Sequence, residues 1–457
     1  MDFATSENAA VQAQLNRLGA LTVPDGRLGL GTIRALLDRL GNPHRNLPPV
    51  FHVAGTNGKG STCAFLRAML EADGKRVHVT TSPHLVRYNE RIRLAGKLIE
   101  DDALAALLKE VLDAGDDLSP SFFEVTIGAA FLAFSRTPAD VCVVEVGLGG
   151  RFDATNALQS GAIAACGIAA LGIDHERFLL APEDGAPGDP LSRIAFEKSG
   201  IAKNGSSLVT LSYTDGPTLE IERAAAKHGA PLAMRGREWS ATVSETALHY
   251  TDRHGELALP LPIMLGVHQA ENAALAAAML RHQDIVTVSP DAIAKGIRSA
   301  HWPARLQRFS NGKLGEIDFG FDFWLDGGHN LQAARAVRLT IESDPDVIRQ
   351  LPKGFGVNVI LGMLANKDAE GFIAEIAPIA RQFVAVPVPG HDHHSTVSLE
   401  RMARSAGIET VHSADDVLGA LNLLNTGRPG DAWKPTAIIG SLYLAGEVLR
   451  LNGTLPD

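Results

Sequence analysis

The sequence predicts an α/β protein of two domains, each built on a mostly parallel β-sheet. Short runs of β-branched residues alternate with longer Ala- and Leu-rich patterns, which is typical of βαβ units. Two of the runs are apolar throughout rather than alternating, as expected for strands covered on both faces. A second series of such units follows a Pro-interrupted stretch late in the chain and predicts a second sheet.

Composition excludes several classes of protein. The chain has 457 residues, of which 45% are hydrophobic and 21% charged, so a sizeable core can form. Its net charge of −10 disfavours a nucleic-acid binder, which needs clustered Lys and Arg. The three cysteines lack CxxC spacing, which favours a reducing compartment over a disulfide framework. Without a signal pattern or a run long enough to span a bilayer, we expect a cytoplasmic protein with no membrane partner.

The elements of the first domain follow in chain order. Strands are predicted at 49–55 and 76–82, with a helix over 61–72 between them. The two fully apolar runs, 140–146 and 162–168, are expected at the centre of the first sheet.

A loop and a second domain follow. The segment 181–190 (APEDGAPGDP) is rich in Pro, Gly and Asp, so it predicts a surface loop or insertion. Pro303 interrupts the pattern, and we place the domains at 1–304 and 305–457. The strands of the second domain are predicted at 357–362, 383–388, 409–411 and 436–441.

The sharpest local motif is GTNGKGST, residues 55–62, between a predicted strand and a predicted helix. Glycines let backbone N–H groups surround a phosphate, the helix presents its positive end, and Lys59 can reach the β- and γ-phosphates. The strict pattern GxxxxGK[ST] is not met, because Gly60 separates Lys59 from the first hydroxyl. The motif favours nucleotide binding over the alternative, a Gly-rich turn with a surface lysine.

Glu145 ends a predicted central strand, the position at which α/β folds bind ligands. Its carboxylate is a candidate Mg²⁺ ligand, because that ion prefers oxygen donors. The alternative is a glutamate that caps the strand end or pairs with Arg151.

Other candidate residues are uninformative when taken singly. A lone histidine such as His175 is usually structural, and Lys198 beside Glu197 predicts a solvated ion pair. The histidines of GHDHHS follow Pro and Gly, and this setting is more typical of an exposed loop than of a metal site: His391, His393 and His394.

Eight sequence blocks occur in an order that resembles folylpolyglutamate synthase and dihydrofolate synthase, members of the muramyl ligase superfamily. The blocks are GTNGKGST, TSPHLVRYNERIRL, SFFEVTIGAAF, EVGLGGRFDATN, GIDH, IAFEKSGIAK, GVHQAENAALAA and LDGGHN. The resemblance extends from about residue 25 to the C-terminus, and GTNGKGS is that family's own version of the phosphate loop. It implies a P-loop ATPase domain with a mostly parallel central sheet, followed by a smaller Rossmann-like α/β domain.

The resemblance implies that ATP lies across the domain boundary. Its nucleotide-binding residues would be Gly58, Lys59, Gly60, Ser61, Asn272, Arg305 and Asp326. It also implies two Mg²⁺ ions. Ser82 and Glu145 would bind one ion; Glu145, His175 and Lys198 would bind the second, with the Lys198 amine carboxylated to supply oxygen ligands.

The resemblance also implies which residues would bind the substrates. The segments that would contact the pterin substrate are Ser121, Phe122, Phe123 and Glu124, and Phe152, Asp153 and Ala154. His329, as a catalytic residue, and Ser441 would handle the incoming glutamate. Two departures from the family pattern are Gly328, where alanine is usual, and the 181–190 segment, which lengthens the path from His175 to Lys198.

The implied reaction is ligation of L-glutamate to dihydropteroate or to the glutamate tail of a reduced folate. ATP phosphorylates the carboxyl group, and the glutamate amine attacks the resulting acyl phosphate, so that catalysis is positioning and electrostatics. The alternatives are a cell-wall muramyl ligase and a nucleotide-binding module without ligase activity. The first is disfavoured because only 54 residues precede Gly55, and the second because LDGGHN lies in a second βα domain. We expect a monomer; the balance of the two synthase activities stays open.

Overall fold

The computed structural model describes residues 5–21, 29–309, 312–316, 323–343, 356–424 and 435–457. The chain divides into two compact units. The larger unit comprises the residues up to Ile263 together with His268–His301, and the smaller unit comprises Met264–Val267 and Trp302–Pro456.

An eight-stranded sheet forms the centre of the larger unit. Its strands are β1 (Val50–Ala54), β2 (Val77–Thr80), β3 (Ile92–Leu94), β4 (Lys97–Leu98), β5 (Val141–Glu145), β6 (Ile163–Ile168), β7 (Ser207–Thr210) and β8 (Leu232–Met234). The order is β4-β3-β2-β5-β1-β6-β7-β8, and only the pairings of β3 are antiparallel. The two apolar runs form β5 and β6 on either side of β1, which confirms their predicted central position.

Helices surround this sheet. They are α1 (Ala9–Gly19), α2 (Gly31–Arg39), α3 (Lys59–Ala72), α4 (Asp101–Ala114), α5 (Phe122–Arg136), α6 (Glu176–Leu179), α7 (Pro190–Ser199), α8 (Asp215–His228), α9 (Val267–Arg281) and α10 (Pro290–Ser299). Helix α3 begins at Lys59, two residues before the predicted start, because Gly58 turns the chain in the left-handed region and precedes it directly.

A small antiparallel sheet was not predicted. It consists of β9 (Trp239–Val243), β10 (Leu248–Asp252) and β11 (Gly255–Leu259), in the order β11-β10-β9. The rings of Trp239 and Tyr250 stack with centroids 5.8 Å apart, and both side chains are buried. This stacked pair anchors the inner face of the sheet.

The smaller unit has a six-stranded sheet in the order β12-β13-β17-β14-β15-β16. Its strands are β12 (Gln307–Phe309), β13 (Phe323–Leu325), β14 (Val357–Leu361), β15 (Ala380–Ala385), β16 (Thr410–Ser413) and β17 (Thr436–Ile439), and its helices are α11 (Lys313–Glu316), α12 (Leu331–Ser343), α13 (Ala369–Ile376), α14 (Thr396–Ser405), α15 (Val417–Leu424) and α16 (Leu442–Asn452). All pairings except β12–β13 are parallel. The four predicted strands are confirmed as β14 to β17.

The 181–190 segment is a loop up to Asp189, which caps α7, as its composition predicts. Among the helices in the described part of the chain, none combines the length and apolar character needed to cross a bilayer. All three cysteines are buried and unpaired.

Candidate functional site

The loop between β1 and α3 is tied to the chain that follows β6. The Thr56 N–H donates to the carbonyl of Ala170 at 2.8 Å. The Thr56 hydroxyl donates to the carbonyl of Gly172 at 2.8 Å and accepts from the N–H of Gly172 at 3.0 Å. The GTNGKGST loop is therefore held at the carboxyl ends of two neighbouring parallel strands, the edge at which α/β sheets bind ligands.

Gly58 has a φ of 83° and lies against Asn272 of α9. A Cβ atom at this position would be 2.3 Å from Oδ1 of Asn272. Asn272 is buried, and its Nδ2 donates to Oε1 of Gln269 at 3.1 Å. The structure thus brings Asn272 to the phosphate loop, 214 positions after Gly58 in the printed sequence.

Two lysine amines meet at one carbonyl oxygen. Nζ of Lys59 donates to the carbonyl of Gly55 at 3.0 Å, and Nζ of Lys198 donates to the same oxygen at 2.8 Å. Lys198 is 4% exposed. Its burial, and then the charge of Lys59, lower the pKa of Lys198 to about 7. Near neutral pH this amine therefore has a large neutral fraction, in contrast to an ordinary lysine.

Glu197 does not form the predicted solvated pair with Lys198. Its carboxylate lies 2.8 Å from Nη2 of Arg151 and 3.0 Å from Nη2 of Arg193. Consecutive helical residues point in different directions, so α7 directs Glu197 to the arginines and Lys198 to the loop. The ion-pair interpretation of Lys198 is wrong.

Ser82 and Glu145 are adjacent at the ends of β2 and β5. The Ser82 N–H donates to Oε2 of Glu145 at 3.2 Å, and Glu145 is 5% exposed. The carboxylates that hold Arg151 are those of Glu183 and Glu197, so the alternative pairing of Glu145 with Arg151 is not observed. A serine hydroxyl and a carboxylate offer the oxygen donors that Mg²⁺ prefers.

His175 has a different setting. Its side chain is 43% exposed, and Nε2 lies 3.8 Å from Oδ2 of Asp174. No three His, Cys, Asp or Glu side chains in the described ranges form a group that could hold a metal ion. A metal site here would need other donors, such as the Ser82 hydroxyl and a carboxylated Lys198.

The segment 121–124 begins α5. The Ser121 N–H and hydroxyl both donate to Oε2 of Glu124 at 2.8 Å, and the Glu124 N–H donates to Oγ of Ser121 at 3.2 Å. This reciprocal capping box occupies both polar side chains. A Cβ at Gly147 would be 2.3 Å from Cζ of Phe123, so the Gly-rich loop after β5 packs on that ring. Phe122 contacts Tyr88 edge to face, with centroids 6.0 Å apart.

The segment 152–154 has one exposed and two buried members. Asp153 accepts from the N–H groups of Leu148 at 2.8 Å and Thr155 at 3.0 Å, and its burial raises its pKa. Ala154 is buried, whereas Phe152 is 37% exposed. Within this segment, the side chain that can meet a ligand is therefore that of Phe152.

The smaller unit places Asp326 and Arg305 near each other. Oδ2 of Asp326 accepts from the Leu306 N–H at 2.9 Å, and Oδ1 accepts from the Gly328 N–H at 2.7 Å. Asp326 thereby holds the turn that carries Arg305. With glycine at position 328, where the family usually has alanine, Asp326 still makes both bonds. His329 directly follows Gly328 and is half-buried. Ser441 is buried and caps α16, accepting from the Tyr443 N–H at 3.1 Å.

The histidines of GHDHHS have separate partners. The His391 ring stacks on Tyr443 with centroids 3.7 Å apart. Nδ1 of His393 lies 2.7 Å from the carbonyl oxygen of His391, and Nε2 of His394 lies 2.9 Å from that of Lys367.

Sequence reasoning missed the charged residues around Glu197, namely Glu183 and Arg193, and it missed Thr56 as the anchor of the loop. Arg193 and Glu197 are four positions apart on α7, a spacing typical of an intrahelical ion pair and a usable signal. Glu183 and Thr56 carry no such signal, because their partners lie ten or more positions away. Asp174 was also missed, although its position directly before His175 in GIDH was a usable signal.

A comparison with protein-family models gives no match. A dihydrofolate synthase/folylpolyglutamate synthase of Escherichia coli is 34% identical over 388 residues, which are 85% of this chain and 83% of the relative. Among solved structures, Escherichia coli FolC in complex with DHPP and ADP has a TM-score of 0.83 at 31% identity, with 96% of this chain and 97% of that chain covered. A bifunctional folylpolyglutamate synthase/dihydrofolate synthase with Mn, AMPPNP and L-glutamate bound has a TM-score of 0.79 at 27% identity, with 96% and 97% covered.

Proposed function

The chain belongs to the folylpolyglutamate synthase/dihydrofolate synthase family, and on that basis we propose that it joins L-glutamate both to dihydropteroate and to the glutamate tail of reduced folates. It is an ATP-dependent carboxylate–amine ligase. Its relatives are named as such synthases, which removes the muramyl-ligase and non-catalytic alternatives. The observation that carries the proposal is the phosphate loop, at which Lys59 and the buried Lys198 converge on Gly55.

The nucleotide phosphates would bind where α3 begins. Gly60 and Ser61 lie in its first turn, where backbone N–H groups have no partner within the helix and can donate to a phosphate. Lys59 adds a positive charge, and Asn272 fills the space beside Gly58. Arg305 and Asp326 are proposed as further nucleotide-binding residues. We propose that residues 1–304 form the ATP-binding domain and residues 305–457 the glutamate-ligase domain.

The donors at the sheet edge fit divalent cations. Ser82 and Glu145 would hold one Mg²⁺; Glu145, His175 and a carboxylated Lys198 would hold a second. Bound Mg²⁺ would neutralise charge on the phosphoryl group that is transferred. Carbamate formation needs a neutral amine, and the lowered pKa of the buried Lys198 supplies one.

The substrates would be oriented by the remaining residues. Phe122, Phe123 and Phe152 offer aromatic surface for a pterin ring, with Ser121 and Glu124 fixing the start of α5. Asp153 and Ala154 shape the turn that presents Phe152. His329 and Ser441 would handle the incoming glutamate, whose amine attacks the acyl phosphate. No covalent enzyme nucleophile is needed.

The test measures ADP release by the purified protein with dihydropteroate and with a reduced folate, each with and without L-glutamate. We expect glutamate-dependent ADP release with both substrates. Release with the reduced folate but none with saturating dihydropteroate would remove the dihydrofolate synthase half of the proposal. Release with neither would remove the proposed function as a whole.

We also propose a monomer in the cytoplasm. The three buried, unpaired cysteines support a reducing compartment. Light scattering on the purified protein tests the monomer, since a mass near 48.4 kDa is expected.

A further inference from the structure

The guanidinium group of Arg151 is held by two carboxylates. Nη1 and Nη2 donate to the two oxygens of Glu183 at 2.8 and 2.5 Å. Nε and Nη2 donate to the two oxygens of Glu197 at 3.2 and 2.8 Å. Such bidentate, charge-assisted pairs fix the plane of the guanidinium as well as its position. Arg151 is therefore committed to these partners and is a poor candidate for pairing with a substrate carboxylate.

The same guanidinium lies against two aromatic rings. Its Cζ is 4.2 Å from the ring centroid of Phe152 and 4.7 Å from that of Phe196. A cation over an aromatic face at this distance is attractive and sets the orientation of the ring. Phe196 belongs to α7, so Arg151 lies between the exposed Phe152 ring and this helix.

Glu183 belongs to the 181–190 segment, which composition marks as a loop. Besides Arg151, its carboxylate accepts from Nη2 of Arg193 at 2.7 Å, and Nε of Arg193 donates to the carbonyl of Leu179 at 3.0 Å. Hydrogen bonds from Arg151 and then Arg193 lower the pKa of Glu183 to about 2, so Glu183 is a carboxylate at neutral pH. One side chain of an exposed loop thus helps, together with Glu197, to fix the arginine on which Phe152 rests.

We propose that Glu183 is a positioning residue for the pterin-bearing substrate: through Arg151 it holds the Phe152 ring in the orientation that receives the substrate. The inference rests on the proposed function, because it takes Phe152 as a substrate contact. It assigns the 181–190 segment a part in recognition of the pteroate substrate. Binding of ATP is not expected to depend on Glu183, since none of the described hydrogen bonds of Lys59, Lys198 and Thr56 involves its carboxylate.

The test compares Glu183→Gln with Asp184→Asn, a matched loss of charge at the next, exposed position of the same loop. The amide keeps the shape of Glu183 but turns one hydrogen-bond acceptor into a donor that faces the guanidinium. We expect Glu183→Gln to raise KM for dihydropteroate at least about threefold, the scale of coupling within one ion-pair network. KM for ATP and kcat should stay within about twofold, and Asp184→Asn should match the wild type.

A double-mutant cycle with Phe152→Leu separates positioning from a general loss of stability. If Glu183 acts through the Phe152 ring, Glu183→Gln should have no further effect on KM in the Phe152→Leu background. An unchanged KM for dihydropteroate in Glu183→Gln, or equal effects in both backgrounds, would overturn the inference. Wild-type protein that ligates glutamate in the same assay shows that such a result concerns Glu183 and leaves the proposed function intact.

Discussion

The amine nitrogen of Lys198 lies 2.8 Å from the carbonyl oxygen of Gly55, which is 143 positions earlier in the chain. This contact joins α7 to the first residue of the phosphate loop. It places a buried amine, with a pKa of about 7, where the family resemblance implies a metal ligand. The proposed carboxylation of Lys198 can be tested directly.

Lys198→Arg should lose nearly all ligase activity. Arginine keeps the positive charge but cannot form the carbamate, so the oxygen ligands would be missing. We expect kcat to fall by a factor on the order of 100, the loss typical of removing one charge-stabilising group. Lys203→Arg is the control for enlarging a lysine side chain, because Lys203 is half-buried and desolvation lowers its pKa too.

Rescue makes the test of Lys198 sharper. In Lys198→Ala, a small added carboxylate such as acetate could occupy the position of the missing carbamate, and activity should rise with its concentration. Near-normal turnover by Lys198→Arg, or a bare amine in a metal- and ATP-bound crystal grown with bicarbonate, would contradict carboxylation.

Lys59→Ala should remove turnover and leave the fold intact. Lys59 is half-buried, and the described hydrogen bonds of its amine go to carbonyls of its own loop, at Gly55 and Thr56, so its removal should cost little core packing. We expect kcat to fall by a factor on the order of 100 with little change in Tm. Lys227→Ala, on the exposed face of α8, serves as the control. Unchanged ATP-dependent ligation would remove the assignment of Lys59 to the phosphates.

Gly58→Ala should weaken ATP binding because its Cβ would lie 2.3 Å from Oδ1 of Asn272. Gly74→Ala is a matched control: Gly74 has a φ of 80° against 83° for Gly58, but nothing lies within 4 Å of its added Cβ. Both variants should lose roughly 1 kcal/mol of stability from the left-handed backbone. Titration with an ATP analogue should show weaker binding for Gly58→Ala alone, and equal affinities would contradict the role of this contact.

His52 should make stability depend on pH. Its burial lowers its pKa from 6.5 to about 3, and Nε2 lies 2.8 Å from Oγ1 of Thr155. Between these two pH values the unfolded chain binds a proton that the folded chain does not, so stability falls as the pH falls. Replacing His52 with Gln should flatten that slope by up to about 1.4 kcal/mol per pH unit. Urea unfolding over pH 4 to 7 measures it, and parallel curves for both proteins would contradict the prediction.

Local sequence patterns were sufficient to predict much of the fold. The apolar runs at β5 and β6 predict central strands because a strand covered on both faces needs apolar side chains at every position. The Gly-rich motif before α3 predicts a phosphate loop because glycine conformations and a helix N-terminus are properties of contiguous residues. The small sheet β9–β11 escaped prediction, although buried and exposed residues alternate along β9 and β10 as in strands with one covered face.

The partners of the charged residues could be identified only in the folded chain. Nothing near Glu197 in the sequence indicates that its carboxylate binds Arg151, 46 positions earlier, while its neighbour Lys198 reaches Gly55. Sequence neighbours suggested an ion pair between the two, and the geometry of α7 separates them. The reason is physical: secondary structure follows from short-range periodicity, whereas the choice among many carboxylates and arginines depends on distances and burial that arise only when remote segments pack together.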